Sequence, residues 1–273
     1  KADGTKMYTT GSTGDNVYEY DLSVAGDVTS ASYVRAFYVY GAAPDPQYVF
    51  FKPDGLQMYV TSKAGKSIVA YTLSTAWDIS TATYTAGKST QPTGSQSLSG
   101  IFFRDNGTQL FVTDHNSQFP GGKSMAYYSL STPWDLTTVS YTPTGYSTAT
   151  TSQLRSISFK PDGSRMYYFR SNGEVLEYSV STPWNLGSSV TLINTYTSFG
   201  LNSTSVTGGN LSTDGLNLYF IDSGSDKVTG FSLESYTTSA TWSSATTNNE
   251  FAAIAQAMTV ELNRMDKVQL DAV

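Results

Sequence analysis

Cysteine is absent from this 273-residue chain, and histidine occurs only once, at His115. The absence of cysteine excludes disulfides and thiolate metal sites, and a single histidine excludes a multi-histidine metal site within one chain. No apolar run approaches the roughly 18 residues of a membrane-spanning helix, so no membrane insertion is expected. No charged-then-apolar leader opens the sequence, so no secretion signal is visible.

Charge is scarce as well, since 14% of the residues are charged and the formal net charge is −6. Proteins bind nucleic-acid backbones through a basic stripe, so we expect no nucleic-acid partner. What the chain has instead is 14% aromatic residues, including 20 Tyr, among many Ser, Thr and Gly. This composition is typical of β-rich, turn-rich proteins.

A short motif occurs five times along the chain. Each copy has Asp or Asn followed by Gly, and an apolar residue and an aromatic residue follow three and four positions after that glycine. The five glycines are Gly4, Gly55, Gly107, Gly163 and Gly215, which are 51, 52, 56 and 52 residues apart. A strand-rich repeat of roughly this length predicts a propeller or a solenoid.

The fourth repeat shows what one unit contains. Two short strands, 156–159 and 165–168, flank the turn Pro161-Asp162-Gly163, and further strands are predicted at 175–180 and 190–193. Four antiparallel strands joined by short turns form one propeller blade. The fold class predicted for residues 1–245 is therefore an all-β β-propeller of four-stranded blades. Its first repeat is incomplete, and we expect a further segment before Lys1.

Aromatic residues recur at fixed positions of the repeat. One set falls in the third strand, at Tyr20, Tyr71, Tyr128, Tyr178 and Phe231. A second set falls in a Ser-Thr-x-Trp-Asp/Asn loop, at Trp77, Trp134 and Trp184. Tryptophans in loops suggest sugar stacking, but aromatic residues that recur at the same position of the repeat favour packing within and between blades.

The C-terminal segment, residues 246–273, has a different character. Residues 246–250 offer helix-capping side chains, and apolar residues follow at helical spacing: Phe251, Ile254, Met258, Leu262, Met265 and Val268. The pattern predicts a C-terminal amphipathic α-helix with a seam close to a heptad. Such a helix packs on the propeller or self-associates as the start of a stalk, and we favour self-association.

Catalytic chemistry finds little support in the sequence. The predicted innermost strands carry no carboxylate, whereas a glycosidase needs two. We expect no catalytic residue, no cofactor and no metal. The long loop around His115 is the candidate ligand-contact segment because functional residues concentrate on such loops. The residues chosen there are His115, Asn116 and Phe119.

The repeat resembles the propeller-type repeats of bacteriophage tail fibres and related virion proteins. The resemblance is carried by residues 51–60 and 71–82, and more weakly by residues 261–266, which resemble the helical segment that joins modules in such fibres. It implies a structural role in a virion, an oligomer that is often a trimer, contacts with other virion proteins, and attachment to a host surface. It fixes no binding residues.

The function predicted from the sequence is thus a non-enzymatic tail-fibre or appendage protein, located in the virion, whose propeller binds a host-surface glycan or protein. A first alternative is a purely structural virion component, such as a nozzle or decoration protein. A second is a bacterial surface or extracellular propeller that binds a ligand. A hydrolase is the least favoured reading because the predicted channel lacks carboxylates.

Overall fold

The computed structural model describes residues 1–89, 97–119, 122–142, 154–197, 205–223 and 227–233. These residues form β-strands and three short 3-10 helices, at Val28–Ser30, Ile79–Thr81 and Leu136–Thr138. The strands in chain order are β1 (Lys6–Gly11), β2 (Asn16–Leu22), β3 (Ala31–Tyr38), β4 (Pro46–Phe51), β5 (Gln57–Ser62), β6 (Ser67–Leu73), β7 (Ala82–Ser89), β8 (Leu98–Phe103), β9 (Gln109–Asp114), β10 (Met125–Leu130), β11 (Val139–Thr142), β12 (Leu154–Phe159), β13 (Arg165–Arg170), β14 (Val175–Val180), β15 (Val190–Tyr196), β16 (Val206–Leu211), β17 (Asn217–Asp222) and β18 (Lys227–Ser232).

The strands form five antiparallel sheets, one for each repeat of the sequence. Blade 1 contains β1–β3, blade 2 contains β4–β7, blade 3 contains β8–β11, blade 4 contains β12–β15, and blade 5 contains β16–β18. Blades 2, 3 and 4 have four strands, as the sequence predicts. Within the described residues, blade 1 has no strand inside β1, and blade 5 has no strand outside β18. The predicted all-β propeller is confirmed.

The first strands of blades 2 to 5 lie around the centre of the molecule. Strand β4 contacts β8, β8 contacts β12, β12 contacts β16, and β16 contacts β4. Blade 5 also contacts blade 1, where the hydroxyl of Tyr219 donates to the carbonyl of Gly26 over 3.1 Å. The hydroxyl of Thr213 donates to the carbonyl of Ala2 over 3.2 Å. The last described blade is therefore packed against the first.

The centre of this ring is packed, because its strands approach one another closely. A Cβ atom added to Gly100 would lie 2.7 Å from the Cα atom of Ser156 in the next blade. The hydroxyl of Ser156 in turn donates to the carbonyl of Gly209 over 2.6 Å and accepts from its amide over 2.9 Å. Small residues with short polar side chains thus allow three neighbouring strands to meet at the axis.

The repeated Asp-Gly motif forms the same turn in all five blades. In each copy the Asp or Asn side chain accepts a hydrogen bond, 2.9–3.1 Å long, from the amide two residues later. The glycine after it has φ between 70° and 74°, a left-handed conformation that favours glycine. The repeated acidic residues are therefore turn residues, as expected from their periodicity.

The three loop tryptophans pack on these turns. The amide of Trp77 donates to the carbonyl of Gly55 over 3.0 Å, and its indole lies directly on that glycine. The same indole contacts the ring of Phe51, with 5.4 Å between centroids. Trp134 and Trp184 repeat this arrangement in blades 3 and 4. Packing within the blade, rather than sugar stacking, is confirmed for these side chains.

Two of the three tryptophan loops are also hydrogen-bonded to the preceding blade, and the third, at Trp184, faces the ring of Phe111 instead. The hydroxyl of Tyr59 in blade 2 donates to the carbonyl of Trp134 in blade 3 over 2.6 Å. Tyr8 makes the same bond to Trp77. Gly26 occupies the tryptophan position of blade 1, so the bond from Tyr219 that joins blade 5 to blade 1 belongs to this series.

The repeated aromatic residues of the third strands also contact neighbouring blades. The ring of Tyr71, for example, packs edge-on against Phe37 of blade 1, with 5.6 Å between the ring centroids.

The predicted C-terminal helix, at 246–273, and the domain boundary at 245 lie outside the described residues and stay predictions. The part of the chain that the structure describes contains no helix long and apolar enough to cross a membrane.

The tryptophan packing predicts different effects for one substitution at two equivalent turns. Gly55→Ala and Gly215→Ala both place a side chain at φ +74°. An added Cβ would lie 2.3 Å from the Trp77 ring at position 55 but no closer than 3.5 Å to Lys160 at position 215. We expect Gly215→Ala to cost about 1 kcal/mol and Gly55→Ala about 3 kcal/mol, because overpacking adds to backbone strain. Urea denaturation of both variants measures this, and equal costs would contradict the packing described.

Candidate functional site at the mouth of the propeller

The first strands of blades 2 to 5 share an irregularity at the end of the ring where they begin, which we call the mouth. In each strand the ladder to the next strand skips one or two residues near the start. A β-bulge of this kind turns a side chain out of the sheet and is frequent beside functional sites. The residues skipped are Gln47, Ser99 with Gly100, Arg155 and Thr207.

Arg155 is the only charged residue among those skipped. Its guanidinium is partly buried, and one terminal nitrogen is hydrogen-bonded to Nδ1 of His115. Its Nε atom is buried and has no hydrogen-bond partner among the described residues. Burial lowers the pKa of the Arg155 guanidinium from its ordinary value, but arginine starts so high that it keeps its charge. The mouth therefore contains a cation with a buried, unpaired N–H group.

A second arginine lies at the same end of blade 4. Arg170 is opposite Leu154, the residue before Arg155, in the strand ladder. Its side chain is mostly buried, it forms an ion pair with Glu174, and its Nε atom also has no hydrogen-bond partner among the described residues. Arg170 is thus neutralised by Glu174, whereas Arg155 forms no ion pair within the described residues.

The loop that presents His115 is held in place by one buried carboxylate. Asp114 is fully buried, and its side chain accepts hydrogen bonds from the amides of Asn116 over 2.7 Å, Gln118 over 3.2 Å and Ser97 over 3.3 Å. The amide of His115 donates to the carbonyl of Ser97 over 2.9 Å. These bonds fix the position of the imidazole beside Arg155.

The three predicted contact residues have different surroundings. His115 lies at the mouth, and Asn116 is an exposed residue beside it whose amide group donates to the hydroxyl of Ser97 over 3.0 Å. Phe119 is 2% exposed and packs in the hydrophobic core with Leu98 and other residues of blades 2 and 3. Its ring is not available to a ligand in this conformation. Ligand contact by His115 and Asn116 stays a prediction.

Arg155 was not predicted, because the sequence places it inside a strand of otherwise alternating apolar and small residues. The available signal was its position: it is the second residue of the first strand, where the other blades have Gln47, Ser99 and Thr207. A polar residue at that position in all of blades 2 to 5 distinguishes it from the apolar core positions of these strands.

The arrangement is suited to binding an anion. An arginine N–H that donates to Nδ1 of His115 leaves the imidazole proton on Nε2, so both side chains present donors. Guanidinium groups match the geometry of phosphate and carboxylate oxygens. Among the described residues, no three His, Asp or Glu side chains group together in a way that would hold a metal ion.

The chain resembles several solved structures in fold. It aligns with a candidate 6-phosphogluconolactonase from Bacteroides fragilis at a TM-score of 0.51 and 17% identity, over 86% of this chain and 65% of that one. It also aligns with a candidate 6-phosphogluconolactonase from Bacteroides uniformis (TM-score 0.48, 16% identity, 83% and 63% covered) and with a protein from Lactobacillus plantarum (0.48, 17%, 84% and 64%). The chain spans a little under two thirds of the length of these proteins. No protein-family model and no curated protein sequence matches it.

The Bacteroides fragilis neighbour overturns the identification made from the sequence. The expectation of a bacteriophage tail-fibre or other virion protein is wrong, and so is the expectation of a non-enzymatic chain that came with it, since the neighbour with a TM-score of 0.51 is a candidate 6-phosphogluconolactonase. The physical reason is that the motif used for the resemblance forms the Asp-Gly turn and the tryptophan packing of a blade. The repeat motif therefore indicates the fold and carries no information about the function. Self-association through residues 246–273 and the location of the protein stay predictions.

The role of Asp114 predicts a specific loss of order in the His115 loop. Asp114→Ala leaves three amides without their acceptor in a buried setting, so we expect a loss of stability of about 2–3 kcal/mol. Hydrogen exchange of the amides of Asn116 and Gln118 should also become faster. The control is Asp21→Ala, which removes an exposed carboxylate paired with Lys6 and should cost under about 1 kcal/mol. Unchanged exchange at both amides in Asp114→Ala would contradict this account of the loop.

Proposed function

We propose that this chain binds a small anionic sugar derivative at the mouth of its propeller and hydrolyses the lactone of such a compound. The observation that carries the proposal is the partly buried Arg155 guanidinium, which is hydrogen-bonded to His115 and whose Nε–H group is unpaired among the described residues. The group expected against it is the lactone carbonyl, which becomes the carboxylate of the product.

The energetics favour an anion at this position. The buried Nε is out of a ligand's reach, but the rest of the Arg155 side chain is only partly buried. A ligand oxygen that accepts from one of its terminal nitrogens forms a charge-assisted bond, which a partly water-excluded setting strengthens. Because the His115 loop is fixed by Asp114, the imidazole loses little freedom when a ligand binds. The mouth is thus preorganised for an anionic group.

Lactone hydrolysis needs stabilisation of negative charge more than it needs a covalent intermediate. Water adds to the carbonyl carbon, the carbonyl oxygen gains negative charge, and the ring C–O bond then breaks. The departing alkoxide takes up the proton that the water loses, which leaves the open-chain acid. Donors held in place around the carbonyl oxygen accelerate such a step, and Arg155 and His115 supply donors of this kind.

The fold likeness gives independent support to this reaction class. The Bacteroides fragilis protein that aligns with 86% of this chain bears the name of an enzyme that acts on a phosphorylated sugar-acid lactone. At 17% identity the likeness concerns the fold, and the chain spans only 65% of that protein. The activity is therefore our proposal for this chain, and the argument for it rests on the residues at the mouth.

The proposal is tested with 6-phosphogluconolactone as substrate and 6-phosphogluconate as a stable ligand. We expect the wild-type chain to hydrolyse the lactone faster than its spontaneous rate and to bind 6-phosphogluconate, with weaker binding by Arg155→Gln. Arg155→Gln should reduce the enzymatic rate about 100-fold, because one charge-stabilising donor is lost. Rates are followed by the release of acid, and binding by calorimetry.

The matched control is Arg104→Gln. Arg104 lies beyond the end of β8, away from the mouth, with its guanidinium 5.5 Å from the centroid of the Trp184 ring. This variant should keep the wild-type rate and affinity. Hydrolysis by the wild type that never exceeds the spontaneous rate would refute the hydrolase assignment. An equal loss in the two variants would refute the role of Arg155.

A further inference from the structure

A cleft of about 410 Å³ lies between blades 2 and 3, on the flank of the ring and away from the mouth. It is lined by β5, β6 and β7 of blade 2 and by the tryptophan loop and 3-10 helix of blade 3. The lining residues are Gln57, Ala70, Thr85, Pro133, Trp134, Asp135, Leu136 and Thr137. We call this the 2/3 cleft.

The equivalent position between blades 1 and 2 is filled by an ionic network. The ammonium group of Lys6 lies 2.6 Å from the buried carboxylate of Glu19, and Nε of Arg35 lies 3.5 Å from the same carboxylate. The guanidinium of Arg35 then crosses to the next blade. There it donates to the carboxylate of Asp78 over 2.5 Å and to the hydroxyl of Ser80 over 2.7 Å.

The strand ladders define which residues of blades 2 and 3 correspond to this network. Gln57 corresponds to Lys6, and Ala70 corresponds to Glu19, because β5 and β6 pair in the same register as β1 and β2. Across the next ladder, Arg35 is opposite Glu19, whereas Ala86 is opposite Ala70. The lysine, glutamate and arginine that fill the space between blades 1 and 2 are therefore replaced by one glutamine and two alanines between blades 2 and 3.

The acceptor half of the network is retained in the 2/3 cleft. Asp78 and Ser80 correspond to Asp135 and Thr137, which have the same local geometry. The Ser80 hydroxyl donates to Asp78 over 2.6 Å, and the Thr137 hydroxyl donates to Asp135 over 2.7 Å. These bonds from Thr137 lower the pKa of Asp135, so this carboxylate is ionised at neutral pH. Within the described residues it has no cationic partner.

Blades 3 and 4 have a large side chain at the position of Ala70, whereas blade 5 has a glycine. The residues are Tyr127 in blade 3, Glu177 in blade 4 and Gly230 in blade 5. Glu177 accepts hydrogen bonds from Tyr167 over 2.9 Å and from Tyr196 over 2.6 Å. Ala70 is thus the residue that leaves space between blades 2 and 3. Sugar stacking is not favoured there, since the Trp134 ring packs on Gly107 and Phe103.

We propose that the 2/3 cleft binds a guanidinium group supplied in trans, either a free guanidino compound or the arginine side chain of a peptide. Asp135 and Thr137 would receive it as Asp78 and Ser80 receive Arg35. The cleft lies on another face and between other blades than the mouth, and its ligand has the opposite charge. The inference is therefore independent of the proposed hydrolase function.

The probe is N-acetyl-arginine amide, and its matched control is N-acetyl-citrulline amide, which has nearly the same shape without the charge. We expect saturable shifts of the Gln57, Asp135 and Thr137 amides in ¹H–¹⁵N NMR spectra with the arginine compound and none with the citrulline compound. A short peptide with one central arginine distinguishes the two sources. Tighter binding of the peptide identifies an arginine side chain as the ligand, and equal binding identifies the free group.

Two variants make the test decisive. Asp135→Asn removes the charge and should weaken binding at least about tenfold, as expected for a lost charge-assisted contact. Ala86→Arg places an arginine of the chain itself at the position of Arg35, opposite residue 70 in the ladder, and should abolish binding while the circular dichroism spectrum is unchanged. Equal shifts with the arginine and citrulline compounds, or undiminished binding by Ala86→Arg, would overturn the proposal.

Discussion

The structure depends on one contact, the packing of a tryptophan indole on the glycine of its own blade's Asp-Gly turn. Trp77, Trp134 and Trp184 have φ values of 66–68°, which are unfavourable for a residue with a side chain. The conformation persists because the indole covers the glycine and the tryptophan amide donates to the glycine carbonyl. In Trp77 and Trp134 it also directs the carbonyl towards the preceding blade, where Tyr8 and Tyr59 donate to it. Turn geometry, loop conformation and blade-to-blade packing are thus determined together.

This arrangement divides the surface of the ring into two parts. The end with the Asp-Gly turns and the tryptophan loops is used for packing and varies little between repeats. The mouth and the flanks carry residues that differ from blade to blade, such as Arg155 in a bulge and Ala70 between two blades. Since packing at one end does not require any particular residue at the other, the mouth and flanks are free to acquire binding sites. The mouth lies wholly in a variable part, whereas the 2/3 cleft joins a variable residue of blade 2, Ala70, to the tryptophan loop of blade 3.

The strands and turns could be predicted because each is specified by local chemistry. Asp-Gly turns, alternating apolar residues and a fixed period predicted the blades. The recurrence of the tryptophans at one position of the repeat correctly indicated that they pack within the blades. The site was only partly predictable. His115 was found from its long loop, but Arg155 was missed because a bulge depends on strand pairing and leaves no periodic signal. Phe119 was chosen from the same loop, yet the loop turns back through a bridge to Lys123 and buries the ring. Function could not be read from the repeat motif, since that motif encodes packing.

The two candidate sites are opposite in charge, and the repeat explains how one chain holds both. At the interfaces between blades, the positions equivalent to Glu19 and Ala70 hold an ion network, an aromatic ring or only a small side chain. Blade 1 places Arg35 against Asp78 and so satisfies its own carboxylate, whereas blade 2 leaves Asp135 without such a partner among the described residues. At the mouth the imbalance is reversed, because the buried Nε of Arg155 has no acceptor within the described part of the chain. Arg155 and Asp135 lie in different blades and share no partner, so substitutions at the two sites should act additively. At either site a ligand would take the place of a charged partner of the kind that the chain itself supplies elsewhere, as Arg35 does for Asp78.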